Sequence, residues 1–204
     1  MNKSTIEQVL VIERIKLFHG QVIPQGFSKD DLPAVLQGIR DYAYFIDRSK
    51  AENDSSLKQI IPYMLITCRN NIFLLQRYAS QTESRLHNKY SIGVGGHINP
   101  IKKSRNVPQD IIEKALEREL NEELLVKDTS KPQLIGYLND DSNAVGSVHF
   151  GMIYQLEVTD KKLVTVSEKD LMSGRFITSH RLGDYYDRME TWSQILTKEL
   201  FRNQ

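Results

Sequence analysis

Apolar residues recur at every fourth position through Ile112, Leu116, Leu120 and Leu124, and charged residues fill most of the places between them. That period is the stripe of a helix laid against a core. Elsewhere the pattern changes. Residues 7–15 are rich in β-branched side chains and predict a strand, which Gly20, Pro24 and Gly26 close off. Ser28 is expected to open a helix with Asp30 and Asp31 in its first turn, carried through Val35, Leu36, Ile39 and Tyr42. Tyr44-Phe45-Ile46 is apolar again, and residues 48–54 read as a charged loop. Residues 59–67 and 71–77 predict two strands joined by the polar turn Cys68-Arg69-Asn70-Asn71. Further strands are expected over 133–138, 147–158 and 163–166. A final helix is expected over 181–201, with Tyr185, Met189, Trp192, Ile195, Leu196 and Leu200 largely on one side. These elements predict an α/β fold in which a mixed sheet lies between helices.

The polar side of the 112–124 stretch carries candidate chemistry. Within Arg118-Glu119-Leu120-Asn121-Glu122-Glu123, residues three and four apart share a helix face, so Glu119, Glu122 and Glu123 converge. Like charges placed this way destabilise a helix by a few tenths of a kcal/mol per pair. Bound Mg²⁺ or Mn²⁺ would reverse that cost, because hard cations prefer carboxylate oxygens. Beside Arg118 and Lys114 on an amphipathic helix, three glutamates by themselves favour the plainer reading of a solvated surface. The residues upstream weigh against that plain reading. A strand-like Tyr90-Ser91-Ile92-Gly93 leads into the glycine turn of Val94-Gly95-Gly96-His97-Ile98.

The order strand, glycine turn, loop, acidic helix, with Arg-Glu-Leu-x-Glu-Glu, resembles the Nudix hydrolases. Their signature is Gly-x5-Glu-x7-Arg-Glu-U-x-Glu-Glu-x-Gly-U, with U aliphatic. The resemblance implies an α/β/α sandwich over residues 57–204. Residues 1–56 are expected as an extension packed on that core, which could add strands, form the arm of a homodimer or supply part of the substrate pocket.

Three positions depart from the signature. It places thirteen residues between glycine and arginine, whereas twenty-one separate Gly96 from Arg118 here, so eight are inserted, within 99–108. Loop closure entropy grows slowly with length, so the insertion is tolerable. Asp110 stands at the first signature glutamate, where it keeps a carboxylate or simply caps the helix. Leu125 replaces the glycine after the helix. Leucine does not suit a left-handed turn, so the helix is expected to end later, near Asp128-Thr129-Ser130, with Leu125 packed at its end.

By resemblance, Glu119, Glu122 and Glu123 are the metal-binding carboxylates, with Glu122 and Glu123 the strongest candidates for direct coordination. Arg118 matches the arginine that orients a neighbouring glutamate, and Gly95 and Gly96 match the turn whose backbone approaches metal and phosphate. Independently of the resemblance, Arg77, Arg85 and Lys89 bracket the loop before that turn, and they read as solvated surface charges or as cations suited to substrate phosphates. Glu168 lies where the family often places a loop glutamate acting as general base, or it merely begins a helix capped by Ser167. His97 occupies a variable position and reads as an ordinary loop residue or as an acid or ligand. Asp140 and Asp141 are expected to form a turn before Gly146 rather than to bind metal.

The implied reaction is metal-dependent hydrolysis of a diphosphate linkage in a nucleotide or other organic diphosphate. Two alternatives share the fold. One is a binding or regulatory module that has lost hydrolysis. The other is an isomerase of the isopentenyl diphosphate type, which needs a cysteine near the glycine turn, whereas Cys68 belongs to an earlier strand.

Composition adds bounds. The chain has 204 residues, enough for one sizeable core, and a net charge of +1, so no bulk nucleic-acid partner is expected. Cys68 is the single cysteine, which excludes an internal disulfide, and it reads as a small core residue. No signal pattern or membrane-spanning run is apparent, so a cytoplasmic enzyme is expected.

Overall fold

The structure is a computed structural model that describes residues 6–18, 20–78, 88–101, 108–128, 130–167 and 169–201, with only the backbone for 108–110. In chain order the first elements are β1 (Gln8–Glu13), α1 (Arg14–Leu17), β2 (Gly26–Ser28), α2 (Leu32–Tyr42), β3 (Tyr44–Asp47) and α3 (Arg48–Ala51). Next come β4 (Leu57–Cys68), β5 (Asn71–Arg77), β6 (Tyr90–Ser91), β7 (Gly93–Gly95), α4 (Pro108–Glu123) and β8 (Leu124–Val126). The last are β9 (Gln133–Asn139), α5 (Ala144–Ser147), β10 (His149–Glu157), β11 (Val164–Val166), β12 (Met172–Thr178) and α6 (Thr191–Leu196). They gather into two compact units, one of residues 1–62, 96–116 and 136–152, the other of 63–95, 117–135 and 153–204.

In the first unit β1 is paired on both sides. It runs antiparallel to β3, with Val9 opposite Ile46, and to β4, with Val11 opposite Gln59. Val9, Val11, Ala51 and Leu57 are buried together with Ile46 against them, and Leu10 and Ile12 on the other face of β1 are buried too, so this strand is covered on both sides. β2 pairs with β9, Phe27 opposite Leu138. Phe18, Tyr137 and Phe150 form a second apolar group, with Phe18–Tyr137 and Tyr137–Phe150 centroids 5.4 Å apart.

In the second unit β5 pairs along its whole length with β12, from Asn71 opposite Thr178 to Arg77 opposite Met172. It also pairs with the end of β4 and with β6. The β4–β5 turn is closed by Arg69 in the left-handed region, φ 53°. β7 pairs with β4, and a Cβ on Gly93 would lie 2.2 Å from the Tyr63 ring, so only glycine fits there. β8 and β11 form a two-stranded antiparallel sheet.

β4 and β10 run through both units. Gln59 N–H donates to the Val148 carbonyl near their starts, and Val158 N–H to the Thr67 carbonyl near their ends. The two registers rise together, so this pair is parallel among antiparallel neighbours. The fold is therefore mixed α/β with a mixed sheet, as the pattern predicts.

Several boundaries differ from expectation. α2 begins at Leu32 rather than Ser28, because residues 26–28 pair with β9 and Asp31 turns left-handed before the helix. Residues 14 and 15 leave the first strand for α1, and the charged stretch after β3 contains the short helix α3. The final helix over 181–201 is broken. A 3₁₀ segment Ser179–Arg188 is followed by extended Met189 and Glu190, then by α6 and a π turn over Thr197–Phe201. Glu190 restarts the helix by accepting the Trp192 and Ser193 N–H groups. β12 had no counterpart in the pattern, since Ser173, Gly174 and Arg175 interrupt its apolar run. Cys68 is buried. No helix among the described residues is long and apolar enough to cross a membrane.

Candidate active site

α4 buries Ile112 and Leu116, as the four-residue row predicts, with Ile111 and Ala115 beside them. The expected later ending is not what occurs. α4 stops at Glu123, and the chain passes directly into β8. Two backbone bonds fix this exit: Ser167 N–H donates to the Glu123 carbonyl at 2.9 Å, and Lys127 N–H to the Leu163 carbonyl at 2.9 Å. Because the helix leaves by a strand, no left-handed residue is needed, and Leu125 replaces glycine without strain. Nor does Leu125 pack at the helix end. Strand pleating turns Leu124 inward and leaves Leu125 49% exposed, opposite Thr165.

The last turn of α4 carries the carboxylates. Arg118 Nη2 donates to Glu119 Oε1 at 2.7 Å, and its Nη1 lies 3.7 Å from Glu122 Oε1. Arg77 reaches over from β5, its Nη2 at 3.0 and 2.8 Å from the two oxygens of Glu123. The Arg77 and Glu123 side chains are only 11% and 17% exposed, whereas Glu122 is 58% exposed. A shielded pair holds its geometry, while an exposed contact such as Arg118–Glu122 adds little. The arginine that sequence reasoning set aside for substrate phosphate thus grips a carboxylate of the acidic helix.

Gly95 ends β7 opposite Tyr63. The Tyr63 hydroxyl donates to Glu190 Oε1 at 2.8 Å and lies 3.1 Å from Ser193 Oγ, which in turn accepts the Ile92 N–H at 2.9 Å. Burial, then the neighbouring Glu190 charge, push the Tyr63 hydroxyl well above its ordinary value, so it stays a proton donor. The strand entering the glycine turn is anchored by this trio, which sequence reasoning missed because its members are distant in sequence.

Gly96 and His97 fall in the first unit, where His97 Nε2 is 3.4 Å from His149 Nε2. Asp110 is the third residue of α4. Arg85, Glu168 and most of the 99–108 insertion lie outside the described residues. Ser167 is described, and its bond to Glu123 carries the chain just before Glu168 to the end of the acidic helix. Asp140 forms the expected turn by accepting from Ser142 N–H and Oγ. Asp141 has a different place: Arg14, Gln25, Asn139 and fully buried Lys58 all donate to it. Among the described residues, no three His, Cys, Asp or Glu side chains are gathered into a ready metal cluster.

No family model matches the chain. YmaB of Bacillus subtilis (strain 168) is 36% identical over 197 residues, spanning 93% of this chain and 95% of YmaB. The crystal structure of Tm1382, described as a Nudix hydrolase, matches with a TM-score of 0.81 at 28% identity, over 97% of this chain and 100% of that one. Two others share the fold at lower identity. DR0079 from Deinococcus radiodurans has a TM-score of 0.59 at 15% identity, covering 96% and 100% of the two chains. The MutT protein from Methanosarcina mazei Go1 has a TM-score of 0.51 at 17% identity, covering 71% and 93%. With the glycine turn, the acidic helix and the mixed sheet in place, the chain belongs to the Nudix superfamily, with YmaB as a relative along almost its whole length.

Proposed function

We propose that the protein is a pyrophosphohydrolase that cleaves the diphosphate linkage of a nucleotide or other organic diphosphate with Mg²⁺ or Mn²⁺. The observation that carries this reading is the last turn of α4, where Arg118 and Arg77 hold Glu119 and Glu123 beside an exposed Glu122. Three carboxylates on one turn are a hard oxygen donor set, which fits these cations. Glu119, Glu122 and Glu123 would hold the metal with the Gly95 carbonyl. When bound, the metal neutralises phosphate charge and acidifies water. Coordination requires Glu122 to give up its long contact with Arg118.

The chain's own residues supply the rest. Arg77 and Arg118 orient the carboxylates, the backbone at Gly95 and Gly96 admits the phosphates closely, and Arg85 adds positive charge. Glu168, which follows Ser167 in the sequence, takes the proton of the attacking water as general base. Residues 1–56 are an extension to the catalytic region of 57–204. A panel of nucleoside triphosphates, sugar nucleotides and dinucleoside polyphosphates, each with Mg²⁺ or Mn²⁺, tests the reading. The expected result is metal-dependent cleavage of at least one class, absent in Glu122→Gln. No cleavage of any class with either metal would overturn it.

A further inference from the structure

His97 and His149 present their Nε2 atoms to one another at 3.4 Å, with ring centroids 5.5 Å apart. Two Zn–N bonds of about 2.0–2.1 Å at a tetrahedral angle put their nitrogens about 3.3–3.4 Å apart. The spacing is thus the bite of two imidazoles on one tetrahedral ion. The tautomer suits it as well. His149 Nδ1 lies 2.7 Å from the Val145 carbonyl, which can only accept, so Nδ1 carries the proton and Nε2 bears the lone pair. A histidine whose far nitrogen donates to a backbone carbonyl is the usual second-shell support of a metal ligand.

Gln59 is an independent observation at the same place. Its N–H donates to the Val148 carbonyl, which in a parallel pair sets Gln59 beside His149 with both side chains on one sheet face. Gln59 is fully buried, yet neither Oε1 nor Nε2 of its amide has a hydrogen-bond partner among the described residues. Buried amides are nearly always satisfied, so this one marks a missing polar group.

We propose that His97, His149 and Gln59 form a site for a borderline transition-metal ion of the zinc class. The ion displaces the proton between the two Nε2 atoms. The Gln59 amide binds the ion or its water, and further water completes the coordination. Neutral imidazoles select zinc, nickel, cobalt or copper over magnesium, so this site and the α4 carboxylates favour different ions. Since among the described residues no third His, Cys, Asp or Glu joins the pair, the site keeps open positions.

The test uses full-length protein stripped with a chelator and then titrated with Co²⁺, followed by visible absorption, and with Zn²⁺, followed by calorimetry. The Glu122→Gln variant is titrated in parallel. About one equivalent should bind in both proteins, with the intense absorption of tetrahedral Co²⁺. His97→Asn, at the part-exposed ligand, should abolish the band while retaining the wild-type circular dichroism. Gln59→Leu should weaken binding by about tenfold. Wild-type protein that binds neither ion, or a folded His97→Asn variant that binds as wild type, overturns the proposal. So does binding that disappears in Glu122→Gln, which would place the ion on α4. Failure of the hydrolase assays would leave these titrations unaffected.

Discussion

One nitrogen of Arg77, Nη2, lies within 3.0 Å of both carboxylate oxygens of Glu123 and bridges β5 to the last residue of the acidic helix. The pair is mostly shielded from water, so removing one partner takes from the other a well-placed charge in a poorly solvated position. Arg77→Ala should therefore cost about 2–3 kcal/mol, read by urea unfolding. Arg77→Lys keeps the charge but loses the guanidinium plane. It should lower kcat and weaken Mg²⁺ dependence with KM little changed. A raised KM with unchanged kcat would return Arg77 to the substrate phosphates.

Glu122 and Glu123 should separate by stability. Glu122 is 58% exposed with only a 3.7 Å contact to Arg118, so Glu122→Gln should leave the thermal melt within about 0.5 kcal/mol of wild type. Turnover should fall by about two orders of magnitude or more. Glu123→Gln should lose turnover and also stability, because it breaks the Arg77 pair. Parallel melts and Mg²⁺-dependent rates check both, and near-wild-type turnover in Glu122→Gln would remove it from the ligand set.

Glu168→Gln should lower kcat about 10²–10⁴-fold while Mg²⁺ affinity changes little, since a base and a ligand fail differently. Raising pH should partly restore the rate as hydroxide replaces the base. The pH–rate profile and a Mg²⁺ titration on this variant decide the point. Unchanged turnover would direct the search for the base to Glu119.

Leu125→Thr should be nearly neutral, within about 0.5 kcal/mol, because the side chain faces outward from β8 and threonine suits a strand. Leu125→Gly should lose about 0.5–1 kcal/mol through chain entropy alone. A loss of several kcal/mol on Leu125→Thr, measured by urea unfolding, would show that this residue is packed after all.

Lys58 and Asp141 predict a pH signature. Lys58 is fully buried, with Nζ at 2.7 Å from Asp141 and at 2.9 and 3.1 Å from the Gly146 and His149 carbonyls. Burial pushes its ammonium down to about 8, against the pull of Asp141. Burial also pushes the Asp141 carboxyl up, but Arg14, Lys58, Asn139 and Gln25 together hold it well below its ordinary 3.8. A depressed carboxyl stabilises the fold above about pH 4 and stops doing so as pH falls further. A depressed lysine burdens the fold below about pH 8, and the burden lifts between 8 and 10.5. Thermal melts across pH should show both limbs. Lys58→Met should flatten the alkaline limb at little cost, since Asp141 keeps Arg14. Asp141→Asn should cost about 3 kcal/mol, because it strands a buried ammonium, and should flatten the acid limb.

Local chemistry was legible in the chain itself. The four-residue apolar row of Ile112, Leu116 and Leu120, the three glutamates and the glycine pair each depend on neighbours within one turn or one strand. Short-range periodicity therefore fixed the acidic helix and its inward face before any contact was known. Boundaries set by partners were not legible. Leu125 read as a helix-end residue until β11 paired with β8 and drew the chain into a strand. Ser28 read as a helix start until residues 26–28 paired with β9. β12, with Ser173-Gly174-Arg175 in its middle, is a strand because β5 offers it seven residues of ladder. Only the tertiary structure decided that Arg77 holds Glu123, that Asp141 gathers Arg14 and Lys58, and that His97 meets His149. Each of these contacts joins residues forty or more positions apart, where hydrogen-bond geometry and burial choose the partner and no periodicity reaches.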